Sequence, residues 1–123
     1  MKKIIYTKNA PEPVGPYSQA IQTCNYLYCS GQIAINPDNN QYINSSIEEE
    51  TLQVVKNVEA VLSEAGYTFN DVIKTTCFLS DMSNFSKFNE IYAKYFISSP
   101  ARSCVEAKLP KGAKVEIEVI AYK

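Results

Sequence analysis

The chain predicts an α+β fold, a mixed β-sheet with two helices packed on one face. Three observations lead there. Apolar residues recur at helical spacing in only two stretches, around 46–65 and 81–96. Strand patterns precede, separate and follow them. The last two, roughly 102–107 and 113–122, are joined by the turn-like Leu109-Pro110-Lys111-Gly112. The order is β-β-β-α-β-α-β-β in one domain, residues 1–123, without internal repeat, linker or low-complexity segment.

Residues 3–7 read as a short strand. Asn9 to Pro16 is a loop, because three prolines and a glycine remove donors and fix φ. Tyr17–Thr23 and Tyr26–Ile35 follow as strands. Gly31 interrupts the second and marks either a β-bulge or a close approach of ligand to backbone. Asn36 to Asn40 is turn chemistry. Leu52, Val55, Val58, Leu62 and Ala65 then share a helical face, widened by Val54 and Val61. Ser46 and Glu49 form a capping box, Glu48-Glu49-Glu50 complement the helix dipole rather than bind metal, and Gly66 ends the helix.

Val72–Ser80 returns to strand, rich in β-branched residues. Asp81–Asn84 caps a second helix, whose stripe Phe85, Phe88, Ile91, Tyr92, Tyr95 and Phe96 packs on the sheet. Pro100 stops that helix and turns Ser99 toward extended geometry. In the last strand Val115, Ile117, Val119 and Ala121 share one face, Glu116, Glu118, Ile120 and Tyr122 the other. A face mixing acids with apolar groups is expected to meet another subunit.

Bulk composition narrows function mainly by exclusion. A 46% hydrophobic and 20% charged share is that of an ordinary globular chain. Net charge −1 and a pI near 5.5 argue against a nucleic-acid binder, and Lys108, Lys111 and Lys114 read as a solvated loop. No apolar run approaches the ~20 residues of a membrane span, and the N-terminus lacks a signal-peptide hydrophobic region. Cys24, Cys29, Cys77 and Cys104 fall in strand patterns without C-x-x-C spacing, which predicts buried free thiols in a reducing, cytoplasmic setting. With no histidine in the chain, Ser-His-Asp and Cys-His centres are excluded and a zinc site is not expected. No glycine-rich phosphate loop is present.

The chemistry that remains is Arg102 at the start of one strand and Glu116 on the following one. A guanidinium grips a carboxylate bidentately, and glutamate is the strong side-chain base left to move a proton. Glu116 with Glu118 reads either as a paired-carboxylate hydrolytic centre or as an exposed acidic edge. Arg102 alone reads also as a surface or interface salt bridge, Cys104 as a nucleophile or an inert buried thiol, and Tyr17 as a pocket or a core aromatic.

Asn9-Ala10-Pro11, Gly15-Pro16-Tyr17-Ser18-Gln19-Ala20, Ser30-Gly31-Gln32-Ile33, Val72-Ile73-Lys74-Thr75-Thr76, Pro100-Ala101-Arg102-Ser103, Leu109-Pro110-Lys111-Gly112 and Val115-Glu116-Ile117-Glu118 follow in order. This ordered set resembles the RidA/YjgF family of reactive intermediate deaminases, over nearly the entire chain. The resemblance implies a chorismate-mutase-like fold and a homotrimer whose sheets form a barrel with sites between subunits. It implies cofactor-independent hydrolysis of 2-iminobutanoate and 2-iminopropanoate to 2-keto acids and ammonia, with small 2-imino acids as the only partner besides the chain's own copies. Carried over, Arg102 clamps the substrate carboxylate and Glu116 activates water. Gly31 and Cys104 offer backbone groups, and Tyr17, Ser30 and Asn89 line the pocket. Other roles the family admits are an endoribonuclease or translation inhibitor and a non-catalytic trimer binding small carboxylates. The connections around Ser98 and Lys108 are shorter than the family pattern, and a one-residue slip in a strand would reverse its faces.

Overall fold

In the computed structural model, which describes residues 1–123, the chain runs β1 (Lys2–Ile5), β2 (Ala20–Thr23), β3 (Tyr26–Cys29), β4 (Ile35–Asn36), β5 (Gln41–Tyr42), α1 (Ile47–Glu64), β6 (Val72–Leu79), α2 (Phe85–Tyr95), β7 (Ala101–Glu106) and β8 (Val115–Tyr122). Six strands form one sheet in the order β1-β2-β3-β8-β6-β7, and β4-β5 make a separate small hairpin. Only β6 and β7 are parallel, because α2 carries the chain back across the sheet between them. The α+β class and the mixed sheet with both helices on one side stand as read from the sequence. No helix is long and apolar enough to cross a membrane.

Strand β8 is central, bonded to β3 and β6. Its Val115, Ile117, Val119 and Ala121 are buried beneath the helices, together with Leu27, Cys77 and Leu79. Onto them α1 lays Val54, Val58 and Val61. Leu52 does not join this face; it is 38% exposed. At 100° per residue it lies about 160° around the helix from Val54. The buried stripe instead continues N-terminally through Thr51, Glu50 and Ile47. Gly66, at φ 83°, ends the helix as expected. Phe88, Ile91 and Tyr92 of α2 are buried, and Phe96, just past its end, stacks on Tyr92 at 4.4 Å between centroids. Tyr95 stays at the edge against Phe69.

Several boundaries differ from the sequence reading. The segment Tyr17–Gln19 is loop because the Gln19 amide is an internal clamp: it donates to Thr7 O at 3.0 Å and Pro11 O at 3.0 Å, while its Oε1 accepts from Thr7 N–H at 2.7 Å. The long strand Tyr26–Ile35 breaks after Cys29, and Ile35 joins the β4-β5 hairpin. Ser99 is not extended but sits at φ 52°, its N–H donating to Phe96 O at 3.2 Å. That left-handed turn closes the short connection ahead of Pro100, and β7 then pairs with β6 without a slip from Ala101 to Glu106. Cys24 is exposed at a hairpin turn with φ 51° rather than buried in a strand.

The acidic run at the start of α1 holds a surprise. Ser46 Oγ accepts from Glu49 N–H at 3.1 Å, but the box is not closed by Glu49; instead the next residue, Glu50, turns inward and its carboxylate accepts from Ser45 N–H at 3.3 Å. Glu50 is fully buried. Its oxygens also receive Tyr42 Oη at 2.8 Å, Lys114 N–H at 3.1 Å and Lys114 Nζ at 3.2 Å. Lys114 is therefore an anchor, not a solvated loop residue, and it ties α1 and the β4-β5 hairpin to the entry of β8. Burial, and after it hydrogen bonding to Glu50, hold the Tyr42 hydroxyl protonated, well above the ordinary tyrosine range.

Lys114→Met leaves the Glu50 carboxylate buried without its counter-charge and is expected to lower unfolding stability by about 3 kcal/mol. Adding Glu50→Gln, which removes the uncompensated charge and keeps one acceptor oxygen for Tyr42 Oη and Ser45 N–H but turns a donor toward Lys114 N–H, should recover part of that loss in urea titrations.

Candidate active site

The β3-β8 ladder carries an irregularity at Gly31. Tyr28 faces Ile120 and Gln32 faces Ile117, so four steps on one strand span three on the other. That extra residue is a bulge, and it brings the Gly31 backbone against the side chain of Glu116. A Cβ added at Gly31 would overlap the Glu116 carboxylate and approach its Cδ to 2.8 Å. Glycine is required here by close approach, not by its dihedral angles. The two residues sit in a cavity of about 680 Å³ also lined by Tyr17, Ser30, Glu118 and Lys111. Burial, then the neighbouring charge of Glu118, raises the proton affinity of the half-buried Glu116 carboxyl above that of a free glutamate.

Loop geometry supports this wall. Ser30 N–H donates to Gln19 O at 2.9 Å and Ser30 Oγ to Ser18 O at 2.6 Å, so Ser30 braces the loop that carries Tyr17. Tyr17 is 51% exposed at the rim, which removes the core-aromatic reading. Opposite it, the Leu109–Gly112 turn contributes Pro110 and Lys111, the latter at φ 59°.

Arg102 stands elsewhere. Its Nη1 donates to Asn89 Oδ1 at 2.7 Å, and its Cζ lies 4.7 Å from the Tyr92 ring centroid and 5.5 Å from that of Phe85. The guanidinium is thus oriented by α2 while most of its five N–H donors remain available. Asn89, Tyr92, Ser99, Pro100 and Arg102 line a second cavity of about 440 Å³.

Within one chain Arg102 and Glu116 do not meet. The strands that follow one another in sequence are not neighbours in space, because β6 lies between β7 and β8. Arg102 is level with Thr75 and Glu116 with Phe78, three residues along β6 and hence on opposite faces. Thr75 bonds to Tyr92 on the helix side. Glu116 occupies the uncovered side. The expectation that consecutive strands assemble the pair is corrected by this topology.

Cys104 lies on the edge strand β7. Ala107 N–H donates to Leu79 O at 3.0 Å, so alternation turns the Cys104 N–H and C=O toward the free edge, beside Arg102. Its thiol is raised by burial, an effect that Arg102 partly offsets, and burial pushes Cys29 and Cys77 up to about 12. The backbone of Cys104, not its sulfur, is the group offered outward. Lys111, Pro110 and Gln19 belong to the site region without having been assigned there by residue pattern, although Lys111 and Pro110 carried a signal as part of the Leu-Pro-Lys-Gly turn; Glu118, read from the sequence with Glu116 as a carboxylate pair or an acidic edge, lines the same cavity.

The family model Endoribonuclease L-PSP matches residues 7–123. The chain belongs to the RidA/YjgF family. Among its relatives, a RutC family protein of Pyrococcus horikoshii is 52% identical over 125 residues, spanning 100% of this chain and 99% of the relative. A Mus musculus protein named 2-iminobutanoate/2-iminopropanoate deaminase is 46% identical, spanning 100% and 93%. Solved RidA-like structures superpose closely. The Rid family protein YyfA of Yersinia pestis has a TM-score of 0.96 at 53% identity over the full length of both chains. The E. coli protein TdcF, solved with bound serine, has 0.93 at 36% identity over 98% of each.

In this RidA-family chain, Gly31→Ala is expected to lose about 1–3 kcal/mol by forcing the Glu116 side chain aside. Measured again in a Glu116→Ala background, the same substitution should be nearly neutral, a coupling that a double-mutant cycle in urea reads directly.

Proposed function

We propose that the protein is a 2-iminobutanoate/2-iminopropanoate deaminase that works as a homotrimer with its sites between subunits. The observation that carries this reading is the pair of complementary half-sites. One holds a carboxylate against the bare backbone of Gly31; the other holds an oriented guanidinium on a free strand edge. Their opposite placement suits two copies meeting, with one supplying Glu116, Gly31, Tyr17 and Ser30 and the next supplying Arg102, Asn89 and the Cys104 backbone. The uncovered sheet face supports association, since Tyr28, Val105 and Tyr122 are exposed there. The name of the mouse relative supports the substrate class.

The reaction asks little of the protein beyond placement. Arg102 grips the imino acid's carboxylate, and the Cys104 N–H adds a donor beside it. Water adds to the iminium carbon while Glu116 takes its proton. That proton passes to nitrogen, Glu116 takes the hydroxyl proton as the C–N bond breaks and the C=O forms, and the departing ammonia carries this proton away as ammonium, leaving the 2-keto acid. Holding water, carboxylate and base together lowers such a barrier by up to about 7–11 kcal/mol.

A carboxylate-binding trimer without catalysis is the second reading, favoured by the serine bound in TdcF. It needs Arg102 but not Glu116. The endoribonuclease description of the family finds less support here, because the cavity carries Glu12, Glu116 and Glu118 against Lys111 alone, a balance unsuited to phosphates.

The test couples a serine or threonine dehydratase to the protein and follows keto-acid appearance. Arg102→Ala and Glu116→Gln should each reduce the acceleration about a hundredfold or more. Loss of rate with ligand affinity retained in Glu116→Gln identifies the enzyme; unchanged rates in both variants would sink the reading.

The pH dependence follows from Glu116, which must be ionised to take the proton. Its affinity for a proton is raised, so kcat/KM should fall as pH drops through a value above the ordinary glutamate ~4.3. Glu116→Gln should abolish that acid limb.

A further inference from the structure

On the deaminase reading, Glu116 both accepts a proton from water and gives it up toward nitrogen. A neighbour that changes how firmly Glu116 holds a proton then acts on the rate without touching substrate. Glu118 is placed for this. It lies two residues along β8 on the same uncovered face, about 7 Å away by strand geometry, and lines the same cavity. It is exposed, whereas Glu116 is half-buried against Gly31, and it belongs to neither of the chain's ion pairs.

We propose that Glu118 is a positioning residue of the site: its charge, on the same cavity wall, favours the protonated form of Glu116 and so helps that carboxyl return its proton to nitrogen. A negative charge facing a half-buried carboxyl across a partly dehydrated space makes that carboxyl harder to ionise. The burial and charge effects already described for Glu116 run in this direction.

The other titratable groups facing the cavity are Glu12 and Tyr17 from the loop, Tyr28 and Cys29 from β3, and Lys111 from the turn before β8. Glu12 is engaged with the Tyr6 hydroxyl. Cys29 stays neutral at working pH. Lys111 opposes Glu118 but stands on a different element at the rim. On β6 the register partner of Glu116 is the uncharged Phe78 and that of Glu118 is Thr76, whose Oγ1 accepts from Lys74 Nζ at 3.2 Å. Lys74 is thus a cation on the same face beside Glu118, although it forms an ion pair with neither acid. In a trimer the partner subunit's Arg102 would lower the affinity of Glu116 for protons equally with or without Glu118, so a comparison of variants isolates the one charge.

The experiment titrates the Glu116 side-chain carboxyl by carbon NMR in the wild type, Glu118→Gln and Glu118→Asp, alongside the pH profile of kcat/KM. Glu118→Gln should move the Glu116 midpoint down on the order of half a pH unit, with the acid limb moving equally, while Glu118→Asp keeps both near wild type. Raising salt on the wild type should shift the midpoint in the same direction, which tests the charge without any substitution. A midpoint unmoved in Glu118→Gln, or moved as far in Glu118→Asp, overturns the proposal. The titration needs no substrate, so a wild type without turnover would defeat the deaminase reading while the NMR result still decides the role of Glu118.

Discussion

Strand β8 runs through the middle of the sheet, bonded to β3 and β6, and the two-residue period of a strand gives each of its side chains one of two destinations. Four apolar residues go beneath the helices and form the core. The alternate ones, Glu116 and Glu118 among them, go to the uncovered side. The same parity, carried across β6, sends Arg102 to the side of α2. Arg102, Glu116 and Glu118 are each assigned to a face by this alternation, and the separation of guanidinium from carboxylate follows from it.

Holding β8 in that register is the task of a charged cluster buried at its entry. Glu50, without exposure to solvent, gathers donors from Tyr42, Ser45 and both nitrogens of Lys114. Buried ion pairs of this kind add little net stability compared with apolar packing, but losing one partner is expensive. A slip of β8 by one residue would break the cluster and reverse the faces of the strand together. The cluster and the apolar face thus select the same register.

At the opposite wall, a single bulge brings Gly31 under Glu116. That contact leaves no room for a Cβ and gives the carboxylate a half-dehydrated seat, from which its altered proton affinity follows. Arg102 has a matching arrangement on the other side, with Asn89 Oδ1 accepting from its Nη1 and two aromatic rings beside it. Both groups are oriented before any ligand arrives, which is where an enzyme that relies on placement derives its rate.

Periodicity alone determined the two helices, the closing strands and the alternation of β8, because those depend on local spacing that a pattern of apolar residues records. The absence of histidine and the types of residue at Arg102 and Glu116 were equally legible, as was the bulge-or-approach choice at Gly31. Tertiary structure decided the rest. Leu52 is as apolar as Val54, and only the angle at which α1 meets the sheet leaves it outside. Glu50 looks like its neighbours Glu48 and Glu49 until Lys114, far along the chain, closes over it. Chain order places Arg102 and Glu116 on consecutive strands, yet β6 is inserted between them, since a helix crossover makes β7 its parallel neighbour. Strand order arises from packing between distant segments, and local patterns do not encode it.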